Sequence, residues 1–209
     1  MSNGKTGNKT LIITILSLTL VFGAVLVTMT VCGSTGDITP LLSAHEQAQT
    51  GRRLEISFSY NKVKMIGSSQ YVFWIEDMDG NYVDTLYVTQ WTAQGGFRRR
   101  PTSISQWVSA AQPADMNPSE INAISGATPK PGDYIAYWDF TDNRGNLVTG
   151  TQYRYFIEAS MDFNVNVMYS GVITIGDEMQ VESPMPKYNN PDSKFNNMIS
   201  NVRVSFFPN

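Results

Sequence analysis

A chain of 209 residues with 42% hydrophobic residues and a formal charge of −3 can bury one or two globular cores, and it lacks the basic surplus that a nucleic-acid partner requires. It holds one cysteine, Cys32, and one histidine, His45. No disulfide can staple the fold, and beyond Arg53 there is no residue for Ser-His-Asp or Cys-His catalysis, nor for a thiolate or imidazole zinc site.

Met1–Thr10 is polar with Lys5 and Lys9, and Leu11–Val31 is an uncharged apolar run. That is the n-region and h-region pattern of an export signal. Cys32 closes the run with Gly33-Ser34 behind it, which resembles a bacterial lipoprotein signal whose cysteine is lipidated, although Val31 stands where a small residue is usual. Two other readings stay open. A run of roughly 20 residues can cross a bilayer as an uncleaved anchor, and Val31-Cys32-Gly33 can serve an ordinary signal peptidase. Each delivers the body outside the cytoplasm, to the periplasm or the cell surface. The first two also make the membrane a partner, through a lipid or a helix. Residues 1–31 are thus signal or anchor, and residues 32–53, polar and rich in small side chains, form a tether. Leaving out Lys5 and Lys9 with residues 1–31 leaves 13 basic against 18 acidic residues, so about −5.

Residues 54–209 read as a single β domain. Leu54–Tyr60 alternates, with Leu54, Ile56, Phe58 and Tyr60 on one face, as a half-buried strand does. Gln70–Glu76 is apolar on both faces. Asp77-Met78-Asp79-Gly80-Asn81 turns the chain, and Tyr82–Trp91 runs back as the second arm of a hairpin. The stretch Thr92–Pro129 is the least β-like. Within it Thr102–Ala111 carries Ile104, Trp107, Val108 and Ala111 at helical spacing, with Thr102 or Ser103 as N-cap and Trp107 packed on the body. Pro131–Ser160 gives two aromatic strands around Asp142-Asn143-Arg144-Gly145-Asn146. Val165–Gly176, Glu178–Glu182 and Asn201–Phe207 complete about seven strands, and no βαβ rhythm intervenes. The expected fold is an all-β, Ig-like antiparallel sandwich with one short helix, behind an N-terminal hydrophobic signal or anchor helix.

Three features could carry chemistry. Arg98-Arg99-Arg100 suits a carboxylate or phosphate ligand, or else is a solvated loop with one stem packed on Trp91 or Trp107. Asp77, Asp79 and Asp84 surround a turn, but no twelve-residue calcium loop is present, so no metal site is expected. Asn122-Ala123-Ile124-Ser125-Gly126-Ala127-Thr128 resembles the acceptor motif of exported flavoproteins, which implies FMN on Thr128 with Ser125 beside it. The plain alternative is a small-residue turn.

Two family resemblances follow. Trp138-Asp139-Phe140-Thr141-Asp142-Asn143-Arg144-Gly145, leading to Gly150-Thr151-Gln152-Tyr153-Arg154-Tyr155, is similar to a run in the Ig-like domain of flagellar hook-assembly proteins, with Phe140 where those have Gly. The second resemblance covers nearly the whole body. Leu86-Tyr87-Val88, Trp91-Thr92-Ala93, Arg99-Arg100-Pro101, Trp107, Ser125-Gly126-Ala127-Thr128, Lys130-Pro131-Gly132, Trp138-Asp139 and Glu158-Ala159 resemble the predicted periplasmic proteins called domain of unknown function 2271. This implies a fold and a location, with no activity. The functional expectation is an exported, membrane-anchored lipoprotein that acts without catalysis as an interaction module for an envelope protein. The alternative is an accessory of a flavin-based extracytoplasmic electron-transfer system, with FMN covalently attached. A third option is a carbohydrate-binding module with Trp74, Trp91, Trp107 and Trp138 as aromatic platforms; most of these rings are expected in the core, and two of their faces side by side in solvent would favour it.

Overall fold

The computed structural model describes residues 51–62, 68–161 and 164–209. The signal or anchor at 1–31, the lipidation site Cys32, His45 and the tether before Gly51 lie outside the described residues.

The strand β1 (Arg53–Tyr60) buries every second residue, as its alternation requires. Next come β2 (Gln70–Glu76), β3 (Tyr82–Thr89) and the single helical turn α1 (Gln90–Ala93). Helices α2 (Ser105–Ala111) and α3 (Pro118–Ile124) lead to β4 (Ser125–Gly126). Six strands close the chain: β5 (Gly132–Trp138), β6 (Gln152–Met161), β7 (Val165–Thr174), β8 (Gln180–Glu182), β9 (Lys187–Tyr188) and β10 (Ile199–Phe207). They form two sheets, β5-β1-β10-β8 and β4-β3-β2-β6-β7-β9. Every ladder is antiparallel except the two-residue contact of β4 with β3.

The sheets face each other across an aromatic core. Leu54, Ile56 and Phe58 from β1 and Phe206 from β10 meet Phe73, Tyr155 and Ile157 from the larger sheet. The Phe58 and Phe73 rings are 4.6 Å apart, and Trp138 lies 4.5 Å from Phe140 and 5.0 Å edge-on from Tyr153. Fully burying each such side chain contributes roughly 1.5–3 kcal/mol, which stands in for the missing disulfides. The all-β sandwich expected from the alternation is what forms.

The helices exceed the expectation. The one read at Thr102–Ala111 begins at Ser105, and neither Thr102 nor Ser103 caps it: Ile104 holds the N-cap position in left-handed backbone. Helix α3 has few apolar positions and announces itself through its cap instead. Asn117 Oδ1 accepts from the Ser119 and Glu120 N–H groups at 2.9 and 3.0 Å, Glu120 accepts from the Asn117 N–H at 2.7 Å, and Pro118 opens the helix. Together the helices make a third layer. Ile104, Trp107, Ala111, Ala93 and Ile121 pack against Val72, Trp74 and Val88 on the outer face of the larger sheet. This layer explains why β2 is apolar on both faces.

The corners repeat one device. Asp77 Oδ1 accepts from the N–H groups of Asp79 and Asn81 at 2.9 and 2.8 Å, and Asn81 Nδ2 reaches Asp77 Oδ2 at 2.7 Å. Asp142 does the same for Arg144 and Asn146, at 2.9 Å each, with Asn146 Nδ2 at 3.1 Å from its Oδ2. Gly80 and Gly145 supply φ values of 88° and 79°. The shared sequence Asp-x-x-Gly-Asn is therefore a corner, and its carboxylates are committed to backbone. Gly-x-x-Tyr is a second unit: Tyr153 Oη accepts from the Gly150 N–H at 2.6 Å, and a Cβ on Gly150 would lie 2.6 Å from that oxygen. A tyrosine bonding back at the entry to a strand is a known fixture of Ig-type sandwiches. Phe140 has a φ of 65°. The position demands left-handed backbone, and the burial of its ring offsets that strain.

Candidate functional site

Register fixes what the outer face of the larger sheet presents. Across β2, β6 and β7 the rows are Gln70–Ser160–Asn166, Val72–Glu158–Met168, Trp74–Phe156–Ser170 and Glu76–Arg154–Val172. The helical layer covers the β3–β2 side. Toward β6 and β7 the face opens into a cleft of about 440 Å³. Its floor is Trp74, Phe156 and Met168, and Glu76, Gln106, Asn166 and Lys187 stand on its rim. The Trp74 and Phe156 rings are stacked at 4.8 Å with 13° between their planes. Trp74 is locked by its Nε1–H, which donates to Glu76 Oε1 at 2.9 Å.

Beneath one wall of the cleft sits Glu158, fully buried. Its Oε2 accepts the N–H groups of Gln106 and Trp107, both at 3.1 Å, and its Oε1 accepts Asn166 Nδ2 at 2.6 Å. The carboxylate thus replaces the cap that α2 lacks in its own sequence, and bolts the helical layer to β6. Burial pushes its pKa up to about 6, against the pull of the Trp107 N–H and the Asn166 amide. A buried polar chain extends the bolt. Thr92 Oγ1 donates to Gln70 Oε1 at 3.0 Å and lies 2.9 Å from Ser103 Oγ, and the Ile104 N–H reaches Ser160 Oγ at 3.2 Å.

The residues singled out in the sequence lie elsewhere and do not converge. Arg98 and Arg99 are exposed, and the Arg98 guanidinium lies 5.4 Å from its neighbour Phe97. Arg100 turns back into the body, 5.1 Å from the Trp91 ring, and donates to Ser103 Oγ at 3.0 Å. Ser125 is buried and pairs with Val88, while Gly126 pairs with Thr89. Tyr87 Oη donates to the Ala127 carbonyl at 2.6 Å, and Thr128 next to it is exposed. Of the four tryptophans, Trp74, Trp107 and Trp138 are buried and Trp91 stands exposed by itself.

The cleft escaped sequence reading because its parts are spread over β2, α2, β6, β7 and β9. One signal was available: Glu158 is a lone acid in the middle of Phe156–Met161, and a charge in a doubly covered strand needs a partner.

A family model described as "Predicted periplasmic protein (DUF2271)" matches residues 52–185. That span runs from β1 through β8 and includes Glu158, Phe156 and most of the cleft. No curated protein and no solved structure matches the chain.

Proposed function

Since the chain belongs to this family of predicted periplasmic proteins (DUF2271), we propose that it is a non-catalytic binding module of the bacterial envelope, held at the membrane through residues 1–31 or a lipid on Cys32. The observation that carries this reading is the cleft: two stacked rings locked in place under a rim of polar side chains. A pre-formed concave site with a rigid aromatic floor and a few placed polar groups is what binding requires. Its one carboxylate, Glu76, accepts the Trp74 indole N–H, and Glu158 behind the wall holds the head of α2, roles that suit support rather than proton transfer.

A photo-crosslinking amino acid placed at Ser170 in the full chain, expressed in its own envelope, should capture a partner. The same group at Ser57, on the outer face of the smaller sheet, should capture nothing. Equal capture at both positions, or capture of neither polypeptide nor glycan at Ser170, removes the cleft from consideration.

A second reading rests on the exposure of Thr128 beside a pinned turn. Here the chain serves flavin-based electron transfer, with a phosphoester between Thr128 Oγ1 and FMN. Intact mass of the protein co-expressed with a flavin transferase separates the two. An unmodified polypeptide favours the binding module alone. An added FMN moiety that disappears in Thr128→Ala establishes the flavin role.

A further inference from the structure

We propose that the cleft over Phe156 takes a neutral saccharide chain, an inference that rests on the binding-module reading above. Three observations converge on that ligand class. The first is the floor. In the row Trp74–Phe156–Ser170 two parallel rings are followed by a small side chain, so the space beyond Phe156 is the width of another ring. A pyranose offers a face of C–H groups that packs on such a ring.

The second is the rim. Sugar hydroxyls both donate and accept, so they need a mixed set of partners. Gln106, Ser170 and Lys187 line the cleft, and their side chains make no hydrogen bond or ion pair among the described residues. Glu76 uses only Oε1, for the Trp74 indole, which leaves Oε2 as an acceptor. Asn166 gives its Nδ2 to Glu158, which fixes the amide and leaves its oxygen uncommitted. The third is charge. The lining carries one carboxylate, Glu76, and one ammonium, Lys187. An anionic ligand would gain one cation and meet one like charge, so the balance favours a neutral one. At about 440 Å³ the cleft is larger than a single pyranose, so it admits more than one sugar.

The exposed tryptophan pair that a carbohydrate site would ordinarily show is not here; Phe156, braced by Trp74, takes that role. Detergent-solubilised full-length protein is applied to an array of neutral hexose, N-acetylhexosamine, uronic-acid and phosphorylated oligosaccharides, and the best neutral tetrasaccharide is then titrated by Trp fluorescence. Binding to neutral glycans is expected, weakened at least tenfold in Phe156→Ala and several-fold in Gln106→Ala. The rim variant should keep the wild-type thermal midpoint, and Phe156→Tyr should keep the affinity. Binding confined to anionic glycans, binding to none, or affinity unchanged in both alanine variants overturns the proposal. Polypeptide capture at Ser170 without glycan binding overturns the saccharide and leaves the binding module standing; neither signal ends both.

Discussion

Glu158→Ala should cost about 3 kcal/mol, a fall of about 6–12 °C in the thermal midpoint for a domain of this size. The truncation strips the acceptor from the Gln106 and Trp107 N–H groups and from the Asn166 amide in one step. Buried donors left without acceptors cost more than the bonds were worth in place. Glu158→Gln isolates the charge, because an amide oxygen can still accept from the helix. The unfolded glutamate titrates near its ordinary 4.5 and the folded one near 6, so the folded state binds more protons between these values. Stability therefore falls as pH rises across that window, by on the order of 1–2 kcal/mol from this residue. Asp84 acts in the same direction, since burial and then the charges of Asp139 and Asp142 raise it from 3.8 to about 7. Asp77 and Asp142, held low by their corner hydrogen bonds, act oppositely, and only in stronger acid. Thermal melts of the wild type should thus decline from pH 4.5 to 6, and Glu158→Gln should lessen that decline to the part that Asp84 supplies. A wild-type midpoint that climbs over the same interval would refute the assignment.

The sandwich was readable because its determinants are local. Alternation in Leu54–Tyr60 and the Asp-x-x-Gly-Asn corners act over a few residues, and each dictates one conformation. The helical layer was readable only where it buries a regular stripe, as at Ile104, Trp107 and Ala111. Helix α3 is held by a capping box and by a single buried isoleucine, Ile121, so periodicity had little to find. The cleft is different in kind. Phe156 and Trp74 become neighbours through strand register, and Gln106 arrives from a helix whose head is fastened by Glu158, over fifty residues later in the chain. No window of sequence contains that arrangement. The arginine run and the Ser-Gly-Ala-Thr stretch attracted attention because they are compact motifs, yet the structure uses Arg100 and Ser125 in packing the loop onto the sheet.

Trp107→Ala should be as damaging as the loss of Glu158, at about 3–5 kcal/mol, because the indole is wholly buried under the helical layer. Its Nε1–H also donates to Thr85 Oγ1 at 2.8 Å, which Tyr82 Oη still reaches at 2.7 Å after the change. Most of the cost therefore comes from the cavity opened against Val72, Trp74 and Val88. Trp107→Phe should recover more than half of the loss. The two residues share one fastening, since the carboxylate that accepts the Trp107 N–H is the reason α2 lies where the indole can pack. Once the layer loosens, water reaches Glu158, and its pKa returns toward the ordinary value. The decline in stability between pH 4.5 and 6 should then shrink in Trp107→Ala to the part that Asp84 supplies, even though Glu158 is still present. In the same way, the double variant Trp107→Ala/Glu158→Ala should cost clearly less than the sum of the singles, with a coupling of about 1–3 kcal/mol. Simple addition of the two effects, with the pH dependence intact in Trp107→Ala, would mean that the helices rest on the sheet without being bolted to it, and the cleft wall at Gln106 would lose its support.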